Sequence, residues 1–181
     1  EKNLCQLGFK NEYTAIEMCV PIQAGKTIER QKNVYQRILK KGKFCIDYMK
    51  EADLEQMLQM RKTKEFHTYN FEFKTLEEYC AEIQNKQYWG VYNEQKIMCA
   101  CIYVEPVLEI MTGDGICVEQ KYRNTYGLGA ALMIHVLNEA VNGQKKNYVS
   151  WCELENVNSM KFHENIGFEK TGKISNEWVM E

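Results

Sequence analysis

The sequence has no apolar run of the length a bilayer demands, roughly 20 residues for a spanning helix. Nor does it open with the charged start and apolar core of a secretion signal. The expectation is a cytoplasmic protein with no membrane partner. A basic excess is also missing. The net charge is −2 over 181 residues, too little positive charge to neutralise a phosphate backbone, so nucleic acid is not expected as a main partner. Lys40-Lys41-Gly42-Lys43 is a short basic run that reads as a solvated helix end. Of the eight cysteines (Cys5, Cys19, Cys45, Cys80, Cys99, Cys101, Cys117 and Cys152), none forms a CxxC pair, and no His stands at zinc-ligand spacing from one. No metal site is expected. Several cysteines lie in apolar strand-like runs such as Met98-Cys99-Ala100-Cys101-Ile102, where a free thiol behaves as a small buried hydrophobe.

What is present is a chain long enough for one domain, or one domain and a piece. Phe44 to Tyr48 is rich in strand formers. Leu54, Met57, Leu58 and Arg61 fall on one helical stripe in residues 52–63. Thr75 with Glu78 is a capping box that opens a second helix. Tyr88 to Tyr92 and Ile97 to Val104 read as a hairpin around Asn93-Glu94-Gln95-Lys96. Residues 107–118 are extended, with Gly113 and Gly115 as signs of a bulge or a close backbone approach. Gly127 to Val141 carries apolar residues at helical spacing and ends at Asn142-Gly143. A strand at 147–152, a short helix at 156–165 stopped by Gly167, and two short strands complete the pattern. The order predicts an α/β mixed sheet.

A weak repeat is visible. Leu4-Cys5-Gln6-Leu7-Gly8-Phe9-Lys10 resembles Phe162-His163-Glu164-Asn165-Ile166-Gly167-Phe168-Glu169, and each is followed by a polar turn and a hydrophobic strand. Residues 1–22 therefore read as the tail of a preceding copy of the domain. Residues 23–40 read as a linker, partly an amphipathic helix with Ile28, Val34, Tyr35, Ile38 and Leu39. On that reading deletion of residues 1–22 spares cofactor binding, unless the piece pairs with the sheet.

Gly127-Leu128-Gly129-Ala130-Ala131-Leu132 follows a strand and a loop and opens a helix. The first amides of a helix lack internal partners and carry partial positive charge, and glycine lets an anion come close. The turn is suited to a phosphate. Ile116-Cys117-Val118, Tyr122-Arg123 and this turn together resemble the acyl-CoA signature of the GNAT superfamily of N-acyltransferases. Asn156, Ser159, His163 and Gly167-Phe168 match the spacing of its second signature. The resemblance covers residues 41–181 and leaves 1–40 as preceding tail plus linker helix.

The resemblance implies a mostly antiparallel central sheet with helices on both faces and acetyl-CoA or coenzyme A as cofactor. Backbone groups of Ile116 and Val118 would pair with the pantetheine arm. Amides of Asn124, Thr125, Tyr126, Gly127, Leu128, Gly129 and Ala130 would hold the pyrophosphate, with Arg123 adding charge. Asn156 would hydrogen-bond the cofactor and Ser159 would face it. Two positions depart from the family pattern. Asn124 replaces the usual Arg or Gln, with Arg123 one residue earlier, and His163 replaces the Tyr that serves as acid for the departing thiolate. Histidine can also donate a proton near neutral pH.

The implied reaction is transfer of an acetyl group to a primary amine, a small molecule or a peptide, by direct attack in a ternary complex. The amide of Val118 is the candidate oxyanion donor. Asp114 is the candidate base, because it shares strand parity with Ile116 and Val118 in an unbulged strand; in Thr112-Gly113-Asp114-Gly115 it also reads as a turn residue. Glu109, of opposite parity, is the alternative. The loop His67-Thr68-Tyr69-Asn70-Phe71 is placed to shape an acceptor pocket, while Phe71 and Phe73 read as packing. His135 reads as helix packing. Cys117 and Cys152 have no His nearby in a recognisable motif. Competing readings are a non-catalytic acyl-CoA-binding or scaffolding domain of a tandem protein, and a nucleotide-binding regulator, disfavoured for want of an acidic ribose clamp. Partners beyond the acceptor are a homodimer mate or the preceding unit.

Overall fold

The computed structural model describes residues 2–22, 25–62 and 74–180. Local signals set most element ends. Thr75 Oγ1 accepts from the Glu78 amide at 3.2 Å, and Glu78 Oε2 accepts from the Thr75 amide at 2.7 Å. This closes the capping box and starts the helix Leu76–Gln84. Gly127, left-handed at φ 64, starts Leu128–Asn142, a conformation that disfavours any residue with a Cβ. Asn156 caps Val157–Ile166 through the Ser159 amide, and left-handed Gly167 ends it.

In chain order the elements are α1 (Lys2–Gln6), β1 (Phe9–Pro21), α2 (Gly25–Gly42), β2 (Cys45–Tyr48), α3 (Leu54–Arg61), α4 (Leu76–Gln84), β3 (Tyr88–Tyr92), β4 (Met98–Val107), β5 (Ile110–Val118), α5 (Leu128–Asn142), β6 (Asn147–Glu153), α6 (Val157–Ile166) and β7 (Glu169–Met180). The seven strands form one sheet in the order β2-β3-β4-β5-β6-β1-β7. Every neighbouring pair is antiparallel except β5 with β6. That parallel pair is joined by α5, as a crossover requires.

Helices cover both faces. On one, Leu132, Met133, Val136 and Leu137 of α5 pack with Met18, Val20, Ile102 and Tyr148. On the other, Met57 of α3 and Tyr79 of α4 pack with Tyr88, Met98, Cys101 and Cys117. Leu132 and Leu137 are fully buried. Each contributes about 1.5–3 kcal/mol of burial free energy.

Three readings need adjustment. The closing segment is one strand, β7, rather than two short ones; Gly172, at φ 86, lies in a stretch where its register with β1 shifts. The helix expected within residues 23–40 runs on to Gly42, so a boundary at 40/41 falls inside an element. Tyr35 and Leu39 of that helix pack on the α5 side of the sheet; the side chains of Ile28 and Val34 lie outside the described residues. Thirdly, residues 1–22 are not peripheral. β1 lies between β6 and β7, pairing Ala15–Pro21 with β6 and Phe9–Cys19 with β7.

Candidate functional site

The parallel ladder between β5 and β6 is short. Ile110, Met111 and Thr112 pair with Asn147, Tyr148 and Val149, and the pairing stops there. From Gly113 onward the edge of β5 has no strand partner on that side among the described residues. Glu119 N–H bonds Cys99 O on β4. Because strand amides alternate, the Val118 N–H points the other way, into the opening.

The Tyr148 side chain lies over Gly113 so closely that a Cβ there would sit 1.5 Å from the Tyr148 hydroxyl. Glycine is required at that position, and Tyr148 is completely buried. Burial raises the Tyr148 phenol pKa, and Asp114 adds to it.

β5 carries a bulge opposite Ile102. Cys101 faces Cys117, while Tyr103 faces Asp114, so one extra residue sits on β5. The expected parity of Asp114 with Ile116 and Val118 is thereby broken. Ile116 and Val118 pack on the α5 side. Asp114 shares the face of Tyr103, which packs on the α3–α4 side. Gly115, at φ 62, makes the turn, and its amide donates to Asp114 Oδ1 at 2.7 Å. Glu109 is removed from the opening: it stands at the paired end of β5, exposed, in an ion pair with Lys146 at 2.7 Å.

The loop from Arg123 to Ala130 closes the far end. Arg123 Nε donates to Val118 O at 2.9 Å, which ties the loop to the end of β5. Thr125 Oγ1 donates to Arg123 O at 3.1 Å. Asn124 and Gly127 are both left-handed, at φ 58 and 64. Tyr126 packs edge-on against Phe44 at 5.2 Å. The first amides of α5, those of Leu128, Gly129 and Ala130, have no carbonyl one turn earlier in the helix. A Cβ on Gly129 would lie 3.3 Å from Val118, 3.7 Å from Ile116 and 3.8 Å from Phe162. This turn, β5 and α6 therefore converge on one groove.

Across the opening, Asn156 Oδ1 accepts from the Ser159 amide at 3.0 Å, and Ser159 Oγ contacts Cys152 Sγ at 3.6 Å. His163 differs from expectation. Its ring is 3% exposed. Nδ1 lies 2.8 Å from Ser159 O, and Nε2 lies 3.1 Å from Ser150 Oγ. A carbonyl can only accept, so Nδ1 holds the proton and Nε2 accepts from the Ser150 hydroxyl. Burial lowers its pKa, against the pull of the Ser159 carbonyl, so the ring is neutral. It fastens α6 to β6.

Cys152 does have a histidine neighbour, with Sγ 3.2 Å from His163 Nδ1, a contact that residues eleven apart do not advertise. Burial pushes this thiol up to about 11 and Cys101 up to about 12. Both are protonated and inert near neutral pH. Cys117 is buried as well. His135 packs edge-on against Trp89 at 4.4 Å. The segment His67 to Phe71, with Phe73, lies outside the described residues.

One group was invisible in the sequence. Tyr13 of β1 pairs with Glu177 of β7. Burial raises the pKa of its phenol, and Asp114, Glu153 and Glu177 raise it further. The sheet order puts these three carboxylates, from three strands, within electrostatic range of one tyrosine.

Residues 84–170 match the family model described as an acetyltransferase (GNAT) domain. That stretch, just under half of the chain, is similar to a GNAT acetyltransferase domain. No curated protein matches it by sequence. Among solved structures, a Drosophila protein is 15% identical with a TM-score of 0.67, over 96% of this chain and 53% of that one. A GCN5-related N-acetyltransferase from Sphaerobacter thermophilus is 8% identical with a TM-score of 0.65, over 98% and 53%. The paia N-acetyltransferase of Thermoplasma acidophilum, in complex with coenzyme A, is 13% identical with a TM-score of 0.60, over 70% and 89%. This chain thus spans about half the length of the first two. The likeness is one of fold: an α/β arrangement with a mostly antiparallel seven-stranded sheet. No helix among the described residues is long and apolar enough to cross a membrane.

Proposed function

We propose that the chain is an N-acetyltransferase that moves an acetyl group from acetyl-CoA to a primary amine by direct attack in a ternary complex. The observation that carries this reading is the opening between β5 and β6, which leads to the amides at the start of α5. An acyl-CoA is an anionic pyrophosphate joined to an amide-bearing arm that ends in a thioester. The α5 turn suits the pyrophosphate, by its dipole and its orphan amides. We assign this seat to the amides of Asn124, Thr125, Tyr126, Gly127, Leu128, Gly129 and Ala130. Arg123 contributes charge from where Val118 O holds it. The bare edge at Ile116 and Val118 suits the pantetheine amides, as an added strand would. Asn156 uses its oxygen for the helix cap; its carboxamide nitrogen is the donor assigned to the cofactor. Ser159 lines the same side.

The coenzyme supplies the activated acyl group, and the chain supplies charge, position and proton transfer. The acceptor nitrogen must be neutral to attack. Asp114 is the base, reached from the α3–α4 face, on the side opposite the Ile116 and Val118 side chains. Asp114, Glu153 and Glu177 give the reaction end an acidic character that attracts an ammonium ion. As nitrogen bonds to the acyl carbon, charge gathers on its oxygen, and the Val118 N–H stabilises it. Collapse of the adduct breaks the carbon–sulfur bond. The proton that Asp114 takes from nitrogen balances the one the sulfur needs. His163 acts here as a positioning residue that holds α6 and Ser159 in place.

The test is thiol release from acetyl-CoA against a broad amine panel. Turnover that Asp114→Asn lowers by about 10²–10⁴-fold, with CoA affinity unchanged, supports the assignment. Tight CoA binding with no turnover on any amine favours the second reading, an acyl-CoA-binding or scaffolding domain, which the sealed state of His163 keeps in view.

A further inference from the structure

α1, Gly8 and β1 repeat α6, Gly167 and β7 in structure as well as in sequence. Gly8 and Gly167 are both left-handed, at φ 83 and 110. Each ends a helix, is followed by Phe9 or Phe168, and leads into a strand of similar length. The two strands pair with each other, antiparallel. Phe9 faces Met180 at one end, Cys19 faces Glu169 at the other, and Ala15 and Ile16 face Ser175 and Ile174 in the middle. With Phe9 matched to Phe168, the midpoints of the two copies coincide. Equivalent strands crossing at their midpoints define a local two-fold axis.

The surroundings of the axis are one-sided. The outer edge of β1 is covered by β6, over Ala15 to Pro21. The equivalent stretch of β7, Ile174 to Met180, is the end of the sheet among the described residues. Ile174 is 57% exposed and Met180 68% exposed on it. An uncovered edge with apolar side chains is a template for pairing, which proteins usually cover or charge.

We propose that this edge is covered by a second GNAT-like unit, the one that α1 and β1 close, lying ahead of residue 1 in the same polypeptide. Its counterpart of β6 pairs antiparallel with Ile174 to Met180, as β6 pairs with β1. The two units exchange their last strands and share one sheet, with β1 and β7 at its centre. The chain lengths of the Drosophila and Sphaerobacter structures, about twice this one, fit two such units. One consequence is chemical. Tyr13, half-buried and opposite Glu177 in the sheet, then stands beside this unit's strands on a strand that belongs to the neighbour. The reaction end of this unit is then composite.

The test compares backbone amide exchange in the 181-residue chain with that in the natural polypeptide that carries it, together with the mass of each in solution. The expected result is an amide set in residues 174–180 that exchanges about 100-fold more slowly in the natural polypeptide, which is monomeric. Equal exchange in the two would overturn the proposal, as would a natural polypeptide with no such unit ahead of residue 1. Protection already complete in the 181-residue chain, accompanied by a dimer mass, would overturn it in favour of a second copy of this chain at the edge.

Discussion

Gly113 and Asp114 are adjacent and do different work. Gly113 exists so that Tyr148 can lie across β5, and Asp114 exposes a carboxylate on the opposite face. Gly113→Ala should therefore cost about 1–3 kcal/mol, because the Tyr148 ring has no free space to take up; thermal unfolding measures it. His163 supplies a second residue-level prediction. Burial lowers its pKa in the folded chain, so the unfolded chain binds the proton first as pH falls. The stability due to neutral His163 is complete above the unfolded value of about 6.5 and drains away below it. The melting temperature should fall between pH 7.5 and 5.5, and less so in His163→Phe. Identical pH slopes would mean that His163 does not titrate on unfolding. The helix that opens at Gly127 was legible in the sequence because turn and helix-start chemistry is local; the cap that Asn156 gives the Ser159 amide is local too but was not read. The partners of His163 were not legible, since Ser150 and Cys152 come from another element.

At the level of elements, most boundaries followed from caps and periodicity. The capping box at Thr75 and the hairpin at residues 88–107 are cases where sequence neighbours make the decisive contacts. The bulge in β5 was announced by its glycines, yet its position was not. It depends on the register with β4, where Tyr103 rather than Ile102 faces Asp114. That single residue turns Asp114 to the other face. The bulge is also testable. Gly115 is at φ 62, a conformation that costs a residue with a Cβ about 1–2 kcal/mol. Gly115→Val should lower stability by at least that, and turnover further if Asp114 swings out of place. Turnover unchanged per folded molecule would remove Asp114 from the mechanism.

For the whole molecule, the order of strands in space could not be deduced from their order in the chain. The likeness of residues 1–22 to residues 162–180 was visible in the sequence. The position of β1 between β6 and β7 was not, because strand insertion is a long-range event. The consequence reverses the simplest expectation for a severed tail. Met18 is fully buried and Val20 is 4% exposed, each contributing about 1.5–3 kcal/mol. Removing β1 also bares two strand edges. Domains of this size hold only about 5–15 kcal/mol in total. Deletion of residues 1–22 should leave a chain without a cooperative unfolding transition, as seen by circular dichroism; a sharp transition near that of the intact chain would contradict this.

The proposed coenzyme site is the groove between β5 and β6 together with the amides that open α5. The most direct measurement is coenzyme A binding by calorimetry, for the wild-type chain and for Gly129→Arg. A Cβ at residue 129 already lies 3.3 Å from Val118, and the longer side chain would fill the turn. The prediction is binding to the wild type and none to a variant that remains folded by circular dichroism. Equal affinity in the two would place the pyrophosphate elsewhere and contradict the central claim.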